Sequence, residues 1–510
     1  MPRLKILKIT SSICPECNKI LKATVFEKGG KVWITKKCPE HGKFDDLYWG
    51  SYKLYKKAKR FAHDGKGIWN PNVNKEKPIC PVDCGLCKLH KSHTALANLV
   101  VTNRCDLNCW YCFFYAGRVG YVYEPSLQQI EEMVKMLVNE RPVRCNAIQL
   151  TGGEPTLRND LVEIIKICKK HGVDHVQLNT NGIRLSKDLE LAKAVKEAGV
   201  NTLYLSYDGV SEKTNPKNHW EISGLFENCR KAGINSIVLV PTIIKGINDH
   251  EIGDILRFGF KNNDIVKGVN YQPVSLVGRI TNAERQRMRI TIPEVIAKIE
   301  EQTNGQVTED DFYPVPTIYP ITRFVEAITK KAQYDLSSHF ACGMATYIFN
   351  ENGNMLPITR FVDVEGLLEY LNEKAEEIEN GRSKYIVAAK MLFKIGSFID
   401  KKKSPKGFNL ASIIYNALMK HDYTALGAFH HKALFVGMMH FMDKYNYDIE
   451  RVKRCCIHYA MTDGRIIPFC AFNVIPEWYR DKHQESQGIS FEEWEKRTGK
   501  KLVDDLYRRE

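Results

Sequence analysis

Between residues 98 and 300, short apolar runs alternate with amphipathic stretches, and this alternation constrains the fold more than any other feature of the chain. The apolar runs fall at 99–102, 147–151, 175–179, 202–207, 236–241 and 268–273. Stretches such as 127–139 and 157–171 repeat their apolar residues at helical intervals. Short strands separated by helices pair in parallel, because parallel neighbours need a long crossover. The region is therefore predicted to be an α/β sheet or barrel. In such folds the chemically active side chains sit on loops beyond the C-terminal ends of the strands.

The loop after the first predicted strand carries Cys105, Cys109 and Cys112 in a C-x3-C-x2-C spacing. Three thiolates on one loop can hold three irons of a [4Fe–4S] cluster and leave the fourth iron open to an external ligand. After the second strand comes Gly152-Gly153-Glu154-Pro155. Glycines there let backbone approach a ligand, and an acceptor nearby suits an ammonium group. Asn179 and Asn181 follow the third strand, and Ser206 and Asp208 the fourth. This ordered set resembles the radical S-adenosylmethionine (SAM) superfamily. The resemblance implies a partial (β/α)6 barrel, a [4Fe–4S] cluster and bound SAM, which is cleaved to a 5′-deoxyadenosyl radical. It implies that Tyr111 lies against adenine, and that the 152–155 turn meets the SAM amino group. Asn179, Asn181, Ser206 and Asp208 become candidates for its ribose and carboxylate.

Cysteine usage divides the rest of the chain. Of 16 cysteines, all but Cys145, Cys168 and Cys229 fall in tight groups or beside turn motifs, which argues for metal rather than disulfides. Residues 1–50 are predicted to form a β ribbon, with a hairpin over 23–35 turning at Gly29-Gly30. Cys14, Cys17, Cys38 and His41 lie at its ends and suit one tetrahedral Zn or a mononuclear Fe. Residues 51–97 form a connector with Cys80, Cys84 and Cys87, a thiolate-rich set fitting an iron–sulfur cluster, with zinc as competitor. Residues 98–300 are the barrel. Residues 301–510 are an α+β, largely helical extension for auxiliary clusters and substrate. There, Cys342 and the Cys455/Cys456/Cys470 set each border a hairpin, giving candidates for one auxiliary [4Fe–4S] site, with Cys80, Cys84 and Cys87 for a second.

The wider layout resembles the archaeal tetraether lipid synthases. That resemblance implies coupling of the terminal carbons of two phytanyl chains of an archaeal diether phospholipid, with a reductase or ferredoxin as electron donor. Residues 366–448 are expected to be helical and apolar, including Leu410, Ile413, Ile414 and Leu418 and the run from Leu434 to Met439. They read as a packed core or as a channel for alkyl chains, with Gly396, Gly427 and Gly437 leaving room beside a ligand. His430, His431, His440 and His458 read as packing or surface groups, with cluster ligation or proton transfer as the other role. The net charge of +14 suits an anionic partner. No apolar run reaches the length of a membrane span, so a cytoplasmic location is expected, with peripheral membrane contact compatible. The alternative activity is radical methylation of a pterin or another small ring. Peptide maturation lacks a recognition domain, and nucleic-acid binding does not account for the 105–112 and 152–155 motifs.

Overall fold

A computed structural model describes residues 5–112, 114, 119–277, 281–351, 353–406, 408 and 433–509. The ribbon is an antiparallel meander of β1 (Lys5–Ile13), β2 (Ile20–Lys28), β3 (Lys31–Cys38) and β4 (Gly42–Trp49). Gly29 and Gly30 turn the β2–β3 hairpin with φ of 61° and 73°, and Lys28 faces Lys31 across it. Alternation buries Leu21, Ala23 and Val25 on β2 and Val32, Ile34, Lys36 and Cys38 on β3. Period-two geometry thus puts a lysine on the inner face. Burial pushes Lys36 down to about 7, and its Nζ donates to Ser12 Oγ at 2.9 Å and to the Lys444 carbonyl at 2.6 Å.

All six predicted barrel strands are present: β5 (Leu96–Thr102), β6 (Ala147–Gly152), β7 (His175–Thr180), β8 (Thr202–Ser206), β9 (Ile237–Val240) and β10 (Val266–Pro273). They lie side by side in that order and pair in parallel. Helices between them pack one face on the sheet. In Leu127–Val138, for example, Ile130, Met133, Val134 and Leu137 are buried, and a Ser126/Gln129 capping box starts the helix.

The sheet does not stop at six strands. The extension adds β11 (Gly343–Glu351), β12 (Ala433–Met439), β13 (Ile457–Ala460) and β14 (Ile466–Pro468). β12 runs parallel to β10 on one edge, and β13 runs parallel to β5 on the other. β11 and β14 then pair antiparallel outside them. Beyond the two edges, Phe441 and Phe469 stack with ring centroids 3.7 Å apart.

The helical expectation for 366–448 therefore fails at 433–439. That apolar run pairs on both sides and is buried on both faces, and such strands lack the alternation that distinguishes strand from helix. Gly437 leaves no room for a ligand either, since a Cβ there would meet the Phe435 ring at 2.5 Å. Helices do form at Val364–Glu379 and Lys384–Lys394, where they pack with Phe324 and Phe361 into a core of their own. Gly407, Leu410, Ile413, Ile414, Leu418, Gly427, His430 and His431 lie outside the described residues. Among the described residues, no helix is long and apolar enough to cross a membrane.

Candidate active site and metal centres

The two motifs that follow β5 and β6 are built against each other. The Gly153 amide donates to the Thr102 carbonyl at 2.8 Å, and the Glu154 amide to the Arg104 carbonyl at 2.7 Å. A Cβ on Gly152, whose φ is 139°, would sit 2.0 Å from the Thr102 oxygen. One on Gly153 would sit 1.9 Å from the Arg104 oxygen. The paired glycines are thus required by the strand entering the cysteine loop as much as by any ligand. Gly153→Ala is expected to push residues 103–105 outward and to lower iron incorporation at the trio by at least about tenfold, a loss typical of displaced ligand support. Wild-type iron content in that variant would refute this packing argument.

Glu154 is fully buried, and its carboxylate is saturated. One oxygen accepts from Thr156 Oγ1 and Thr180 Oγ1, each at 2.7 Å, and the other from the Asn181 amide at 2.8 Å. Burial, with the Asp106 carboxylate nearby, pushes Glu154 up to about 7. Its side chain therefore ties the loop after β7 to the 152–155 turn, leaving the backbone of the turn to face a ligand. Asn181 also reaches Asp106 at 2.6 Å, next to Cys105.

A cavity of about 360 Å³ opens at the C-terminal ends of the strands. Cys105, Cys109, Cys112 and Tyr111 line it, as do Gly152, Gly153, Glu154, Asn179, Asn181 and Ser206. Pro155 and Asp208 do not: Pro155 starts a buried turn, and Asp208 is engaged behind the wall. Asp208 accepts from the Tyr111 hydroxyl, from Lys217 Nζ at 2.6 Å and from the Thr242 amide at 2.9 Å. Its role is to orient Tyr111 and Lys217. Burial pushes the Cys105 thiol far up and the Cys109 thiol to about 11. A thiolate at such a position needs a cation beside it, which iron supplies. The donor set thus fits a cluster facing the cavity.

Several lining residues escaped the sequence reading. Lys217 places a cation at the wall, and Asn218 behind it donates to the Asn181 and Ser206 carbonyls at 2.7 and 2.8 Å. Deeper in, Gln149 donates to Asn98 at 2.8 Å, and Gln177 donates to Gln149. Asn98, Gln149 and Gln177 stand in register on β5, β6 and β7. That register is the signal available in sequence: an amide side chain at the same depth of three neighbouring strands. Phe114, Met439, Phe441, Ile457, Tyr459 and Phe469 make an apolar wall opposite.

In the ribbon, one ligand atom each of Cys14, Cys17, Cys38 and His41 lie within 4.8 Å of one another. Cys17 and Cys38 sulfurs are 3.9 Å apart, and His41 Nδ1 lies 3.5 Å from Cys38 Sγ. Zinc–sulfur bonds of about 2.3 Å in a tetrahedron separate sulfurs by roughly 3.8 Å. His41 is thus placed as a ligand and not as a packing residue.

Comparison with known proteins agrees with this geometry. The radical SAM superfamily model matches residues 99–259, and the HMPTM N-terminal zinc ribbon domain matches residues 6–50. The 7,8-dihydro-6-hydroxymethylpterin dimethyltransferase of Methanocaldococcus jannaschii is 48% identical over 499 residues, spanning 96% of this chain and 97% of that protein. The chain belongs to the radical SAM superfamily, in that relative's family. The GTP 3′,8-cyclase of Aquifex aeolicus is 31% identical over 227 residues, covering 42% of this chain and 65% of that protein. Among solved structures, HydG, a maturase of the [FeFe]-hydrogenase, aligns with a TM-score of 0.33 and 15% identity over 42% of this chain and 50% of its own. The resemblance to tetraether lipid synthases gains no support from these matches.

The remaining cysteines of this radical SAM protein converge. Cys84 and Cys470 share one buried cluster, with Cys80, Cys112 and Cys455 packed against it. Tyr479 joins the connector to the extension: its hydroxyl donates to the Val82 carbonyl at 2.9 Å and accepts from the Cys84 amide at 3.3 Å. Arg451 Nε donates to Cys342 Sγ at 3.4 Å, and the Met442 amide donates to Cys470 Sγ at 3.5 Å. Burial pushes the Cys80, Cys455 and Cys456 thiols up to about 12. The sequence reading assigns these cysteines to two sites, and the fold packs Cys80 and Cys84 of the connector beside Cys455 and Cys470 of the extension. Among the described residues only the ribbon groups three or more ligand atoms tightly enough for a single ion. A cubane spreads its ligands more widely than one ion does, so these thiols suit clusters better than zinc. His440 is buried, which pushes it down to about 3, and His458 bonds Thr94 at 2.8 Å. Cys145, Cys168 and Cys229 are buried in the barrel core.

Proposed function

We propose that this chain is a radical SAM methyltransferase acting on a carbon of a pterin, or of a similar polar ring: the carbon-bound hydrogen would leave on 5′-deoxyadenosine, and a methyl group from a one-carbon donor such as a second SAM would take its place, with the reductant supplying the balancing electron. The observation that carries this reading is the amide ladder of Asn98, Gln149 and Gln177 at the floor of the cavity, taken with the name of the full-length relative. When bound, the cluster and SAM supply a 5′-deoxyadenosyl radical. The chain's residues do the rest. The amides present donors and acceptors in a fixed plane, which suits the edge of a heterocycle. Tyr204, which accepts from Asn270 and Gln272, extends that polar floor. The aromatic wall excludes water from a reactive carbon. Cys80, Cys84, Cys87, Cys342, Cys455, Cys456 and Cys470 would hold one or two auxiliary [4Fe–4S] clusters. A reductase or ferredoxin would supply electrons.

A second reading rests on a different observation. Part of the cavity wall is aliphatic and aromatic, and helix Lys384–Lys394 exposes Tyr385, Ile386 and Phe393, the last 92% exposed, a few residues before Lys401, Lys402 and Lys403 in the chain. Such a surface suits a diether phospholipid at a membrane face and tail-to-tail coupling of its chains. Anaerobic incubation with SAM and dithionite, with reduced hydroxymethylpterin in one arm and archaeal diether lipid in the other, separates the two by mass spectrometry. Methylated pterin with deoxyadenosine in the first arm alone is the expected result. A new carbon–carbon bond between lipid tails, with no methylated pterin, would replace this reading with the second.

A further inference from the structure

Residues 489–509 hold no cysteine, yet they brace the loops that form the SAM site. Ile489–Ser490 pairs antiparallel with Tyr121–Val122, and Asn103 is held there by bonds to the Tyr121 and Tyr123 carbonyls at 3.0 and 3.1 Å. Arg104, just before Cys105, lies over the buried Trp494 at 4.6 Å and pairs with Asp505 at 2.6 Å. The Tyr507 amide donates to the Asp106 carbonyl at 3.0 Å. From the same residue the Tyr507 hydroxyl reaches the other side of the site and donates to Glu221 at 2.6 Å. Arg509 donates to the Pro216 carbonyl at 2.7 Å, bonds Glu221 at 3.2 Å, and stacks on Trp220 at 3.9 Å.

The positions gripped on that far side bracket Lys217 and Asn218. Residues 505–509 therefore touch both the loop that carries the cysteines and the loop that carries the cation of the cavity wall. Neither loop is fixed to the other by a strand: one follows β5, the other follows β8.

We propose that Tyr507 and Arg509 are positioning residues for SAM. They lock the 216–221 loop to the cysteine loop, so that Lys217, whose Nζ is held by Asp208 at 2.6 Å and lies 3.3 Å from the Tyr111 hydroxyl, keeps a set separation from the trio at the cavity wall, where it can present its charge to the SAM carboxylate. The inference rests on the radical SAM assignment and is independent of which substrate is methylated or coupled. Bonds to a charged partner such as Glu221 are the strong kind, and holding a binding group in place avoids its ordering cost on binding.

The test uses the full-length, reconstituted protein carrying Tyr507→Phe and Arg509→Ala together, which leaves the Tyr507 amide bond to Asp106 intact. Iron content, and the electron paramagnetic resonance spectrum of the reduced cluster without SAM, should match wild type. Titration with SAM, followed by its perturbation of that spectrum, should give a dissociation constant raised about tenfold, the range expected from removing bonds to one charged group. Arg509→Lys with Tyr507 retained should recover most of the affinity. An unchanged dissociation constant in a cluster-replete double variant would overturn the proposal. If the double variant loses iron, Tyr507→Phe alone is titrated, and an affinity within twofold of wild type would overturn it equally.

Discussion

Cys109→Ala is expected to reduce deoxyadenosine formation from SAM and dithionite to background, while the metal content of the ribbon stays at the wild-type level. Cys109 lines the cavity together with Tyr111 and Cys112, and its thiol is pushed up to about 11 by burial, so a cation such as iron beside it favours the thiolate. Removing it leaves two thiolates on the loop, too few to hold a cluster with one open iron. The ribbon's four ligands are supplied by Cys14, Cys17, Cys38 and His41, which share no element with the cysteine loop. Parallel measurement of total iron, ribbon-bound metal and deoxyadenosine checks both halves. Residual SAM cleavage above background would remove the trio from the reaction; loss of the ribbon metal would show that the two centres depend on each other.

Asp448→Ala is expected to destabilise the docking of the ribbon by about 3 kcal/mol, the cost of breaking a buried ion pair from one side. Asp448 is fully buried in the extension, yet its partners come from the ribbon: Lys8 at 2.6 Å, Thr10 at 2.7 Å and the Tyr48 hydroxyl at 2.8 Å. Burial alone would raise its pKa, but the Lys8 charge and the hydrogen bonds from Lys8 and Thr10 outweigh it and hold the carboxyl well below the usual range. A depressed carboxylate contributes stability above its unfolded pKa of about 3.9, and that contribution fades as pH falls below that value toward the folded pKa. Wild type should therefore lose stability across this acid window relative to Asp448→Ala, so that the difference between them shrinks. Denaturant midpoints at neutral pH and at about pH 3 measure it. A neutral-pH difference under about 1 kcal/mol would show that the contact is no stronger than a surface pair.

This docking has a consequence for the metal centres. The segment held by Asp448 continues into Arg451, which bonds the Cys342 sulfur and the His440 carbonyl. Arg289 pairs with Asp46 of the ribbon at 2.7 Å and with Asp443 at 2.8 Å. Buried charge thus fastens the ribbon to the stretch that carries the auxiliary cysteines, which gives the ribbon a structural role even though it lines no part of the cavity.

The sequence by itself determined the six strands from Leu96 to Pro273, the trio at Cys105, Cys109 and Cys112, the glycine turn, and the ribbon with its four ligands. Each of these is written locally, in a strand-and-helix period or in ligands a few residues apart, and local patterns survive without knowledge of the rest of the chain. Tertiary structure decided what local pattern cannot hold. Strand Ala433–Met439 has a helix-like apolar run and becomes a strand only because Val266–Pro273 and Gly343–Glu351 offer it partners on both sides. Cys84 and Cys470 meet across nearly the whole chain, and no spacing rule links them. Glu154 and Asp208 read as ligand contacts, and the fold also gives both the work of holding loops, because buried carboxylates must be satisfied by whatever donors packing brings near. Lys217 reads as one lysine among many, and only the closing of three loops around the cavity turns it into the cation of the site.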